Sequence, residues 1–222
     1  MRIEGGHESG NVEDRRGMKP VAAGGGVLAL VVMAVAYLLT GDANVAKKAG
    51  QVAGNLQGPA AKQGGPAPGG NPEDVTFARK VLGLNDAVWK EQLGREYQPP
   101  GMVIFSDSVD SEGCGVAPSA VGPFYCPASK KVFLDPTFFD ELATKLKGSK
   151  ADFSKAYVVA HEVGHHVQNL LGYSDKVRQF ERTEGKNGGI RLELQADYLA
   201  GVWAKLAQPK GLILEAGDVE AA

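Results

Sequence analysis

Three of the chain's four histidines stand at His161, His165 and His166. The run His161-Glu162-Val163-Gly164-His165 is H-E-x-x-H, and it lies inside a stretch, Ala156 to Leu171, whose apolar spacing predicts a helix. Residues four apart share a helix face. His161 and His165 can therefore place two imidazoles on one Zn²⁺, with Glu162 beside them as the base for a metal-activated water. That chemistry is metal-assisted hydrolysis.

Catalytic zinc takes three protein ligands and keeps one position open, so a third ligand is needed. The scheme H-E-x-x-H-x-x-G-x-x-H is excluded, because Gln168 and Leu171 occupy its glycine and last histidine positions. His166 points about 100° around the helix from His165. A later helix, Ile190 to Leu206, carries Glu193 and Asp197 on one face, beside a stripe of small residues at Ala196, Ala200, Gly201 and Ala204. Two helices can approach closely there. Glu193 is the expected third ligand. Asp197 is expected to accept a hydrogen bond from a ligand histidine, His161, and fix its tautomer. Asp175 is the competing third ligand. Tyr157, Tyr173, His166 and Tyr198 are candidates for a second donor to the developing oxyanion, and nothing in the sequence chooses among them; for Tyr198, packing beside Asp197 is the stronger reading.

The elements that must hold these groups follow from caps, periodicity and turn residues. Asn71 can cap a helix opened by Pro72, Glu73 and Asp74, and Asn85 can cap a second one running to about Tyr97. Met102–Phe105 and Lys131–Leu134 read as strands. Pro136 opens a helix that Gly148 ends. Asp152 can cap the motif helix, and Gly172 is its natural stop. The polar stretch Ser174 to Gly189 starts helical and ends in a glycine-rich loop. The segment Pro123 to Leu134 is the expected substrate-side edge, where an extended peptide can add a strand. The fold class is α+β: a helix-rich zincin-like domain with a small mixed or antiparallel sheet.

The 222 residues carry a formal net charge of −2, so no basic face announces nucleic acid. The N-terminal third is different in kind. Residues 1–17 are polar, of mixed charge, and expected to be disordered. Val21 to Leu39 carry no charge, and nineteen residues at about 1.5 Å each can span a bilayer core of about 30 Å. Arg15, Arg16 and Lys19 precede this run, which places the N-terminus inside and the rest outside. A cleaved signal peptide and a buried core helix are the competing readings; the run is long for the first, and Gly24 to Gly26 weaken the second. The expected organisation is a cytoplasmic tail (1–17), a transmembrane anchor (18–40), a Gly/Pro-rich tether (41–70) and a catalytic domain (71–222). In a domain outside the membrane, Cys114 and Cys126 read as a disulfide, with a two-cysteine metal site as the rival.

At this level the chain resembles a known family, the bacterial membrane-anchored putative neutral zinc metallopeptidases of gluzincin type. The resemblance rests on Val121-Gly-Pro-Phe-Tyr-Cys-Pro127, Val132-Phe-Leu-Asp135, Phe138-Phe-Asp-Glu-Leu142, Ala156-Tyr-Val-Val-Ala-His-Glu-Val-Gly-His-His-Val-Gln168 and Glu193-Leu-Gln-Ala-Asp-Tyr-Leu-Ala-Gly-Val-Trp203. It covers roughly residues 71–222. It implies one Zn²⁺ per chain on His161, His165 and Glu193, Glu162 as the catalytic residue, a protein or peptide substrate, and a single-pass place in the bacterial cytoplasmic membrane with the domain on the periplasmic or extracellular side. Relatives of this kind carry a further helical segment beyond the position of Asp218, a departure that bears on activity. A catalytically silent, zinc-stabilised binding module and a zinc hydrolase of non-peptide bonds are the alternative functions. Glu162 argues against the silent module, since a purely structural site needs no base.

Overall fold

The computed structural model describes residues 1–5, 7–18, 69–144, 152–183 and 187–219. The expected crossing at 18–40 and the tether at 41–70 fall outside these, apart from Met18, Gly69 and Gly70. Among the described residues no helix is long and apolar enough to cross a membrane.

Two short strands open the chain, β1 (Arg2–Ile3) and β2 (Val12–Asp14). Helix α1 (Pro72–Leu93) starts as the sequence dictates: the Asn71 side chain accepts from the Glu73 N–H, with Pro72 in the first turn. It runs without a break through Asn85, which is not a cap. Asn85 is buried and donates to the Val81 carbonyl one turn back, because Leu82, Leu84, Val88 and Trp89 continue one buried face through the site of the expected break.

Strands β3 (Gly101–Ile104), β4 (Ser108–Asp110), β5 (Val116–Pro118), β6 (Phe124–Cys126) and β7 (Lys131–Leu134) follow. Then come α2 (Phe138–Thr144), the motif helix α3 (Asp152–Leu170), α4 (Tyr173–Thr183), α5 (Gly188–Ala207) and β8 (Leu212–Ile213). The mixed sheet has the order β2-β3-β7-β6, parallel except for the antiparallel pairing of β6 with β7. Successive strand side chains alternate between faces. Met102, Ile104, Val132 and Leu134 join the helix core with Val81 and Leu82 of α1, Val159 and Val163 of α3, and Trp203 of α5. Val103, Phe105, Phe133 and Cys126 form a second cluster with Val109. Cys126 is disulfide-bonded to Cys114, with the Cα atoms 5.9 Å apart.

The N-terminal residues are not disordered; they are built into the domain. β1 pairs antiparallel with β8, and β2 lies parallel beside β3 as the outer strand of the main sheet. Met102 N–H donates to Asn11 (2.8 Å) and Arg15 N–H to Ile104 (2.7 Å). A polar composition predicts disorder for a segment that must bury its own apolar surface. This one instead completes hydrogen bonds that the edge of β3 leaves open.

Candidate metal centre

α3 and α5 pack closely because their contact residues are small. A Cβ on Gly164 would stand 3.1 Å from the Ala196 carbonyl oxygen, so the glycine inside H-E-x-x-H sets how near the second helix comes. That approach puts Glu193 opposite the two histidines. Its Oε2 lies 3.2 Å from His161 Nε2 and 3.4 Å from His165 Nε2. One ligand atom from each of the three falls within 4.8 Å of the others. A tetrahedral Zn²⁺ with bonds of about 2.1 Å holds its ligand atoms about 3.4 Å apart, so the donor set fits that ion and leaves a fourth position open.

Asp197, one turn after Glu193, accepts from His161 Nδ1 at 2.9 Å and from the Tyr157 hydroxyl at 2.9 Å. The shared carboxylate fixes the imidazole with Nε2 turned toward Glu193. Asp175 is not brought to the trio; it is exposed and paired with Arg178.

Glu162 is buried, at 8% exposure, beside an open cleft. Burial pushes its pKa up to about 8, with Glu193 repelling its charge and the Tyr125 backbone N–H opposing the shift by donating to it. The cleft, of about 450 Å³, runs between β6, the trio and α4, and Arg178 stands on its α4 side. A second hollow of about 250 Å³ shares His161 and Glu162 and is lined by Val121, Pro123, Phe138 and Val158.

The sequence profile described as "Putative neutral zinc metallopeptidase" matches residues 1–222. The chain belongs to this family. The uncharacterized protein YpfJ of Escherichia coli (strain K12) is 37% identical over 248 aligned residues, covering all of this chain and 80% of YpfJ. The uncharacterized protein Rv2575 of Mycobacterium tuberculosis is 51% identical over 123 residues, 55% of this chain and 41% of its own. No solved structure matches.

Of the four candidate oxyanion donors, Tyr157 is engaged with Asp197 and also lines the smaller hollow. Tyr198 is 70% exposed, so the packing role expected for it is not what it has. His166 is fully buried on the far side of α3. Its Nε2 donates to the Gln98 carbonyl (2.6 Å), so its Nδ1 accepts from the Tyr125 hydroxyl (3.0 Å); burial holds its pKa below the usual histidine value. Asn169 in turn donates to that hydroxyl (3.1 Å). His166 and Asn169 thus clamp Tyr125 to the motif helix, and the same residue's backbone meets Glu162. Sequence reasoning missed Tyr125, Gln168 and Arg178. Gln168 had a signal, its position one turn after His165; Tyr125 acts through its backbone, which leaves none.

Proposed function

We propose that this chain is a zinc-dependent peptidase, with His161, His165 and Glu193 as ligands and Glu162 as general base and acid. The observation that carries this reading is a donor trio of zinc-like spacing beside a buried carboxylate, at the meeting point of two hollows along an edge strand. Zinc held there supplies a Lewis acid and a water acidic near neutral pH. Glu162 takes the proton from the attacking water, holds it in a site where burial favours the protonated carboxyl, and delivers it to the leaving amine. Asp197 keeps the His161 ring in register through this exchange. Tyr125, by donating its backbone N–H to Glu162, ties the base to the strand that borders the cleft.

An extended peptide fits beside β6, the last strand of its sheet. The hollow formed by Val121, Pro123, Phe138 and Val158 takes an apolar side chain next to the scissile bond, and Arg178 offers donors across the larger cleft. The Cys114–Cys126 disulfide supports an oxidising compartment for the domain. The test is zinc content together with cleavage of a mixed peptide library, products mapped by mass spectrometry, on the whole chain as wild type and Glu162→Gln. Cuts flanked by large apolar residues, present in the wild type and lost in Glu162→Gln at unchanged zinc content, support the reading. One bound zinc and no cleavage by the wild type hand it to the silent binding module.

A further inference from the structure

Gln168 takes no part in the chemistry above, yet it is 1% exposed and touches both halves of the metal centre. We infer that Gln168 is a positioning residue that fixes the tautomer of His165 and the placement of Glu193 with one amide group, an inference that rests on reading His161, His165 and Glu193 as zinc ligands.

The orientation of the amide follows from what its neighbours can do. A backbone carbonyl only accepts, so the Gln168 atom 2.6 Å from the Leu192 oxygen is the NH₂ group. The second N–H of that group faces the Gln195 Oε1 at 3.2 Å. The Gln168 oxygen therefore faces His165 Nδ1, at 2.9 Å. An amide oxygen also only accepts, so Nδ1 carries the ring proton. The lone pair of His165 is then on Nε2, the atom 3.4 Å from Glu193 Oε2. No other arrangement satisfies every donor and acceptor of the group.

The two ligand histidines are thus held differently. His161 leans on a carboxylate that is itself part of α5. His165 leans on a neutral amide of its own helix, one turn on, and that amide grips α5 at Leu192, the residue before the third ligand. Gly164 lets the helices touch, and Gln168 fixes which turn of α5 faces the histidines. If α5 slides by a single residue, the Leu192 carbonyl leaves the amide and Glu193 leaves the trio together.

The test uses the whole chain with Gln168→Leu, which removes the donor and the acceptor, and Val167→Ala, which trims a neighbouring core residue of the same helix. Zinc affinity is measured by competition with a chromophoric chelator, and the visible spectrum of the cobalt-substituted protein reports ligand geometry. Gln168→Leu is expected to bind zinc 10- to 100-fold more weakly and to change the cobalt bands, while Val167→Ala, though less stable, keeps wild-type affinity and spectrum. Wild-type affinity and spectrum in Gln168→Leu overturn the inference and leave the ligand assignment standing. Equal losses of affinity in both variants also overturn it, since general loosening of α3 then accounts for the effect. A wild type that binds no zinc overturns the ligand assignment and the inference with it.

Discussion

The helix pair α3 and α5 and the N-terminal segment belong to one compact unit, and they are held by different means. The helices meet through side chains at fixed spacings: histidines four apart, small residues at the contact, an amide one turn beyond a histidine. The N-terminal segment is placed by backbone pairing, to which ion pairs such as Lys131–Glu13 and Arg15–Glu112 are added. Its strands complete the edges of β3 and β8, and its chain passes over two glycines, where a Cβ on Gly83 would lie 2.0 Å from the His7 oxygen and one on Gly211 2.1 Å from the Glu4 oxygen. Side-chain periodicity can be read from a sequence; backbone complementarity cannot.

The sharpest way to probe the helix pair is Glu162→Gln. On the proposed mechanism this change is expected to lower turnover about 10²- to 10⁴-fold with zinc still bound, as read by peptide cleavage and metal analysis on the same preparation. Turnover within a factor of a few of wild type would place the base elsewhere.

This contrast explains what was legible. H-E-x-x-H, the carboxylates of α5, the strand segments 102–105 (observed at 101–104) and 131–134 and the cysteine pair all announce themselves by residue type and spacing, and the structure brings each to its partner. The break expected inside α1 had a different origin: Asn85 reads as a cap by residue type, but it is buried and its side chain donates to the Val81 carbonyl one turn back. Ser9, Val12 and Arg15 form no pattern of period two or 3.6, so composition alone spoke, and it spoke for disorder. Tyr125 was overlooked because what reaches Glu162 is its N–H, which every non-proline residue possesses.

The N-terminal side of the comparison has an all-or-none test. A strand cannot pair with a sheet across a bilayer, so while β1 and β2 are docked, residues 1–18 and the domain lie on one face of any membrane. The flanking charges alone place them on opposite faces. Both native cysteines are bonded to each other, so single cysteines placed at the exposed Glu8 and Lys205 report cleanly. A membrane-impermeant maleimide applied to intact spheroplasts is expected to label both positions or neither. Labelling of one alone before lysis would show that the docked arrangement is not the one adopted in cells.

Gly83→Ala separates the two regions energetically. In the middle of an exposed helix this change stabilises by roughly 1 kcal/mol. Here the added methyl strikes the His7 carbonyl, and overpacking of this kind costs about 1–3 kcal/mol. The whole chain is therefore expected to lose stability in urea denaturation, whereas a chain lacking residues 1–18 is expected to gain up to about 1 kcal/mol. The same sign in both backgrounds would mean that the segment does not cross α1 at this notch.

The smallest effect concerns Asp86, where the N-terminal segment meets α1 and Tyr97. Its carboxylate accepts from Ser9 Oγ (3.1 Å) and from the Tyr97 hydroxyl (2.7 Å). Burial outweighs both donors and raises its pKa above the usual 3.8. The sign of the linkage follows: a carboxyl that binds its proton more tightly folded than unfolded favours the native state at low pH. This contribution is greatest below the unfolded value near 3.8 and is lost as pH rises through the higher folded value, above which a constant cost remains. Asp86→Asn cannot titrate and keeps only one acceptor oxygen, a fixed loss of about 1 kcal/mol for one hydrogen bond. Urea denaturation across this range is thus expected to show the wild type's advantage over Asp86→Asn shrinking as pH rises. An advantage that grows with pH would mean that Ser9 and Tyr97 hold the carboxylate more strongly than burial penalises it, and that the segment docks through this charge rather than in spite of it.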